Sequence, residues 1–215
     1  MSRDYTRFTF KPSNNYAGVC RQQGRVGLDA DWNEYVEIQD RRWRAETIDT
    51  IGRCWVSRCT DDAFKIVPNG ISFTIGPGRM YVDGLLAENH GTGERSFDNA
   101  LAEEHCRSAV SYEEQPYYPV YPDMPEINRE KPFLVYLDVW QREVSHIEAP
   151  ELLEKALGGV DTATRLQTVW QVKALEFGGS DRSGDSDRAD CPKTIPGTDP
   201  PAGRLTAKAD APPAS

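Results

Sequence analysis

Tyr16-Ala17-Gly18-Val19, then Gln22-Gln23-Gly24-Arg25-Val26, then Leu28-Asp29-Ala30-Asp31-Trp32-Asn33-Glu34 is the stretch on which the reading of this chain turns. Gly24 and Gly27 punctuate a turn. Asp29 has the side chain of a helix N-cap, and Asp31 sets a second carboxylate near the positive end of the helix dipole. From there to Ile51 no Gly or Pro interrupts about six helical turns. Gly52 stands where a C-terminal cap is expected. Upstream, residues 1–28 read as an extended arm with turn chemistry at Pro12, Ser13, Asn14, Asn15 and Gly18.

On a helical wheel Trp32, Val36 and Trp43 share one face with Gln39, flanked by Tyr35 and Thr47. Two tryptophans three turns apart are more often core than binding site. In the docking alternative they pack against a neighbouring subunit, where Trp and Arg are enriched as anchors. Arg41, Arg42 and Arg44 lie beside Trp43. Glu37–Arg41 and Asp40–Arg44 are i,i+4 pairs in the favourable order, worth about 0.3–0.5 kcal/mol each when exposed. Ile38 and Ile48 fall off the main stripe. They are either ordinary exposed apolar residues or a second contact surface.

Beyond Gly52 the periodicity changes. Ala63–Val67 and Gly70–Ile75 read as short strands separated by Pro68-Asn69, and Gly76-Pro77-Gly78 as a hard turn. Met80-Tyr81-Val82 and Leu85-Leu86-Ala87 flank Asp83-Gly84, a two-residue hairpin signal. Residues 91–131 turn polar and then rich in Tyr and Pro, as an extended loop laid over a surface would be. Residues 133–147 predict a strand with Phe133, Val135, Leu137 and Val139 on one face and Leu134, Tyr136 and Trp140 on the other, which implies a central, two-sided position. A short helix, Pro150–Leu157, ended by Gly158-Gly159, and a strand, Thr162–Phe177, complete a strand–helix–strand unit. Trp170, Val172 and Ala174 share one side of that last strand. The final 38 residues contain six Pro, five Gly and no aromatic. They cannot bury enough apolar area to offset about 1–2 kcal/mol per residue of backbone ordering.

The expected fold is therefore α+β: an N-terminal extended arm and long helix, β-hairpins, a mixed strand–helix–strand core, and a disordered or extended C-terminal tail. Three segments follow: an arm and docking helix (1–52), a β-rich core with the Tyr/Pro loop (53–177), and a Pro/Gly/Asp-rich linker or tail (178–215).

Composition bounds the partners. The 215 residues carry a formal net charge of -9. Residues 1–52 are balanced, with eight basic and eight acidic side chains, so the whole excess lies downstream. Nucleic acid and anionic membranes need clustered Lys and Arg, and neither is expected as a partner. No apolar run is long enough to span a bilayer, and MSRDYTRFTF lacks a signal-peptide core. Assembly in the cytoplasm is expected, with any release as part of an extracellular particle. Five scattered cysteines (Cys20, Cys54, Cys59, Cys106, Cys191) fit reduced thiols better than a disulfide framework.

Residues that could carry chemistry have simpler readings. Cys54 and Cys59 with His90, His105 and Cys106 do not have zinc-site spacing. Asp29, Asp31 and Glu34 gather carboxylates at a helix start, where capping accounts for two of them, and the calcium-loop pattern fails. Glu143 and His146, three apart on a strand, point to opposite faces. Gly76-Pro77-Gly78 lacks the backbone N–H groups, the Lys and the helix of a phosphate cradle. No catalytic residue, cofactor or metal is expected.

Three stretches carry a resemblance. They are Tyr16–Glu34 with Arg41-Arg42-Trp43-Arg44-Ala45-Glu46-Thr47; Gly78-Arg79-Met80-Tyr81-Val82-Asp83-Gly84; and Leu134–Gln141 continuing through Ala156–Val172. Together they resemble a family of uncharacterised chemistry encoded in phage-tail-like and extracellular contractile injection system gene clusters. The resemblance implies a structural subunit of such a particle, at its baseplate or as a tail-fibre or cage attachment, and it names no catalytic residue.

The expected function is a non-enzymatic subunit docking at the baseplate, spike or fibre region. Its partners are other subunits of the particle (baseplate, spike or sheath components) and further copies of itself in a symmetric assembly. The residues expected to make those contacts are Gln22, Gln23, Arg25, Asp29, Asp31, Trp32, Glu34, Tyr35, Arg41, Arg42 and Trp43, with Tyr117, Tyr118 and Tyr121 in the Tyr/Pro loop. One alternative is a module for cell-envelope glycans or a receptor, with Tyr112, Tyr117, Tyr118 and Tyr121 as a stacking platform. Another is a polysaccharide-degrading domain.

Overall fold

Asp83 and Gly84 adopt left-handed backbone (φ 48° and 77°), the turn geometry that suits the right-handed twist of flanking strands. They join β4 (Gly78–Val82) to β5 (Leu85–Asn89) in the register Val82↔Leu85, Met80↔Ala87, Gly78↔Asn89. Arg53 pairs with Asp83 across this turn. In this computed structural model, residues 5–69, 72–92, 108–116 and 133–176 are described. Of residues 91–131, read as an extended loop, 93–107 and 117–131 lie outside the described residues, as do Gly70-Ile71 and the C-terminal tail, while 108–116 holds a short strand and the buried Tyr112 and Gln115.

The α+β expectation is corrected. Among the described residues the chain is mostly β, with ten strands in four antiparallel sheets and a single α-helix, α1 (Asp29–Ile51). β1 (Cys54–Val56), β4 and β5 form one sheet in the order β1-β4-β5. β2 (Ile66–Asn69), β3 (Ser72–Ile75) and β6 (Val110–Ser111) form a second in the order β2-β3-β6. β7 (Phe133–Val144) pairs with β10 (Arg165–Glu176), and β8 (Leu153–Glu154) with β9 (Val160–Asp161). Among the described residues there is no strand–helix–strand unit. Pro150–Leu157, with proline at its start and glycines behind it, is too short to offset helix nucleation. It folds as two single 3-10 turns around β8. β7 is not central either. Its one partner strand among the described residues is β10, and it is half-buried along its whole length.

The chain divides into two compact units: Met1–Gly52 with Gln141–Gln167 (unit 1), and Arg53–Trp140 with the chain from Thr168 onward (unit 2). Unit 2 holds the hydrophobic core. Ala63, Phe64, Phe73, Ile75, Met80, Ala87, Tyr112, Trp170, Val172 and Ala174 are buried together, and Phe133, Val135, Leu137 and Val139 of β7 pack against them. Period-two alternation on β7 and β10 places these side chains on one face. Phe64 meets Trp170 edge-on at 5.0 Å between ring centroids, and Phe73 meets Tyr112 at 4.6 Å.

Polar groups complete that core. Trp170 Nε1 donates to the Glu88 carbonyl at 2.7 Å. The Gln115 side chain acts as a one-residue strand beside β10. Its Oε1 accepts from Val172 N–H at 2.7 Å, and its Nε2 donates to the carbonyls of Val172 (3.1 Å) and Tyr112 (2.8 Å). Asn89 Nδ2 donates to Ile75 and Gly76 carbonyls at 3.3 and 2.9 Å. Gly76 is required by close approach, since a Cβ there would lie 2.4 Å from the Asp62 carbonyl oxygen.

Candidate functional site

Unit 1 is built from the arm, α1, the ends of β7 and β10, and the β8–β9 hairpin. Its only buried hydrophobic residues among those described are Ala30 and Ile38, at 1% and 5% exposure. Thirteen large apolar side chains are exposed among the described residues, and all but Val67 belong to unit 1. The exposed apolar side chains of the described residues are thus shared very unevenly between the two units.

The two sides of α1 differ in burial. At about 100° per residue, Trp32, Val36, Gln39 and Trp43 fall within about 60° of arc. Ala30, Ile38 and Ile48 fall on the opposite side. The covered face is the second one: Ile38 is buried and Ile48 half-buried. Trp32 and Trp43 are 60% and 66% exposed, with Tyr35 and Val36 exposed beside them. Tyr35 leans on Trp32 at 6.2 Å between ring centroids. The helix therefore has two apolar faces, and its own chain covers the one without the tryptophans.

The carboxylates expected at the docking surface have intramolecular work. Asp29 is not the N-cap. Leu28 occupies that position, and its N–H donates to Asp31 at 3.4 Å. Asp29 is the first helical residue, and its carboxylate is taken by the arm: Thr6 donates through its hydroxyl at 2.6 Å and its N–H at 3.0 Å. Those bonds, the hydroxyl first, hold the Asp29 carboxyl below the ordinary carboxylate value. Glu34 accepts from the Thr9 hydroxyl at 2.6 Å. Sequence reading missed this clasp because Thr6 and Thr9 are more than twenty residues from their partners and carry no local signal.

Gln22, Gln23 and Arg25 lie on an exposed turn closed by Arg25 N–H to the Gln22 carbonyl at 3.3 Å, with Gly24 at φ 72°. Arg41 and Arg42 are exposed, and Arg44 lies 4.0 Å from Asp40. Ile147, Leu157, Val160 and Leu166, none of them singled out by the sequence, add exposed apolar groups on the hairpin side of unit 1. Tyr117, Tyr118 and Tyr121 lie outside the described residues. Tyr112, the fourth ring of the imagined glycan platform, is buried in unit 2 against Phe73.

The other candidate chemical groups are dispersed. Glu143 accepts from the Thr164 hydroxyl at 3.5 Å, whereas His146 Nδ1 faces Asp161 at 3.4 Å. Among the described residues no three His, Cys, Asp or Glu side chains are placed to hold a metal. Cys20, Cys54 and Cys59 are free thiols, and burial pushes that of Cys54 up. No helix among the described residues is long and apolar enough to cross a membrane.

The chain belongs to DUF6519, a family of unknown function whose model matches residues 1–209. No curated protein and no solved structure matches it.

Proposed function

We infer that this DUF6519 chain is a non-enzymatic structural subunit that docks through unit 1 into a larger assembly. The assembly suggested by the resemblance of its three quoted stretches is a phage-tail-like contractile injection particle, with this subunit in the baseplate, spike or fibre region. The observation that carries the docking reading is the segregation of apolar surface. Unit 2 buries its aromatic and aliphatic side chains in a core of its own, while unit 1 leaves Trp32, Trp43, Ile147 and their neighbours in water.

A unit that buries only Ala30 and Ile38 among its described apolar residues stands to gain stability from what binds it, since any partner that binds only the folded form stabilises that form by mass action. Trp and Arg are the residues that most often dominate interface energies, and α1 exposes Trp32 and Trp43 on one face with Arg42 exposed on its flank. In a symmetric particle such contacts repeat, so modest individual interfaces become durable through effective concentration.

The test is incorporation. A tagged full-length chain, expressed with the particle genes, should appear in purified particles and be located by imaging at the baseplate, spike or fibre region. Trp32→Ala/Trp43→Ala should fold as the parent does and be absent from particles. Particles that incorporate the double variant as well as the parent would refute docking through α1. Particles that never contain the chain would refute the assembly itself.

A further inference from the structure

We propose that the exposed tryptophan face of α1 pairs with the same face of a second copy of this chain, the two helices antiparallel about a two-fold axis. This rests on the docking reading above and identifies one of its partners. The warrant is self-complementarity of charge and spacing along the helix. Trp32 and Trp43 stand eleven positions apart, about 16.5 Å along the axis at about 1.5 Å per residue. Asp31 and Arg42 are separated by the same interval. At about 100° per residue, both lie about 100° round the helix from the centre of the stripe, in the same direction.

A two-fold axis between antiparallel helices sets like flank against like flank. Trp32 of one copy then meets Trp43 of the other, and on that flank Asp31 meets Arg42 of the other, each contact occurring twice. With the tryptophans in register, Arg42 of the other copy lies about two residues, about 3 Å, from Asp31 along the axis, within the reach of an arginine. Val36 and Gln39 lie either side of the two-fold axis. A polar side chain at the middle of an apolar seam favours one register over its neighbours. Tyr35, resting on Trp32, extends the seam on the charged flank.

The contact is small. At about 150–250 Å² per aromatic side chain, the exposed parts of Trp32, Trp43 and Tyr35 supply a few hundred Å² per copy, against about 800 Å² per partner in a standard interface. The pairing is therefore weak in isolation and suited to reinforcement in a symmetric array.

Sedimentation velocity on the full chain over a micromolar to sub-millimolar series reads the prediction. The parent should associate reversibly to a dimer, and Trp43→Ala should weaken this at least tenfold. Asp31→Arg and Arg42→Asp should each lose association. An equimolar mixture of those two variants should recover it, because positions 31 and 42 across the mixed dimer are again of opposite sign at both contacts. Asp31 also accepts from Leu28 N–H. If far-UV circular dichroism shows helix loss in Asp31→Arg, the exposed Arg42→Glu carries the charge test alone, with a several-fold loss expected. A parent that stays monomeric, a Trp43→Ala that associates like the parent, a mixture of two folded variants that fails to recover, or an Arg42→Glu without effect would each overturn the pairing. If the parent is monomeric yet enters particles in a Trp43-dependent manner, the second copy is wrong and the docking reading stands. If incorporation is also indifferent to Trp32 and Trp43, docking through α1 fails with it.

Discussion

Truncating Trp170 and Trp43 to alanine, one at a time, separates a tryptophan that builds this chain from one it keeps for others. Trp170 is 2% exposed, packs edge-on against Phe64, and donates to the Glu88 carbonyl at 2.7 Å. Removing such a side chain from a core costs about 3–5 kcal/mol. A stranded carbonyl puts the loss at the upper end of that range. With a urea slope of about 2 kcal/mol per M, the unfolding midpoint should fall by about 2 M. Trp43 is two-thirds exposed on the open face of α1. Its truncation should change stability by no more than about 0.5 kcal/mol, or about 0.25 M. Equilibrium urea unfolding followed by far-UV circular dichroism, at a dilution where the chain is monomeric, measures both. A Trp43→Ala midpoint that drops as far as that of Trp170→Ala would show Trp43 packed within its own chain, and the docking face would be lost with it.

Other perturbations follow from single contacts. Gln115→Ala leaves the Val172 N–H and C=O and the Tyr112 C=O without their partner at a buried site, so destabilisation of about 3 kcal/mol is expected. Hydrogen exchange at Val172 should speed up accordingly, and an unchanged rate would sink that assignment. Gly76→Ala drives a methyl into the Asp62 carbonyl and should cost at least about 1–3 kcal/mol in the same urea assay. The arm clasp is pH-dependent with a definite sign. The Asp29 carboxyl is lowered in the folded state, so its contribution is present above the ordinary carboxylate value and lost as pH falls through the folded one. The Thr6 amide resonance should therefore titrate with a midpoint below the ordinary carboxylate value, and Thr6→Val should move the Asp29 midpoint back up. A Thr6 amide that does not respond to acid would show that the clasp is absent in solution.

What the sequence by itself determined was local. Asp83-Gly84 specified its hairpin because few residues tolerate two successive left-handed positions, so the turn and its register are settled within a handful of residues. Which side chains share a face of β7 and of β10 was legible for a similar reason, though which face of β7 turns inward was not. A period of two leaves Phe133, Val135, Leu137 and Val139, and Trp170, Val172 and Ala174, no choice of side once the strand forms. Tertiary structure alone decided matters that depend on distant chain. Pro150–Leu157 scored as a helix on its end residues and became two 3-10 turns around a strand, because β9 offered β8 a partner that a two-turn helix lacks. Asp29 left its cap position for Thr6, and Gln115 found β10 from 57 residues away. The covered face of α1 was equally illegible. Hydrophobicity ranks the tryptophan stripe above Ile38, but burial follows whatever the rest of the chain lays against the helix, and that information is not local.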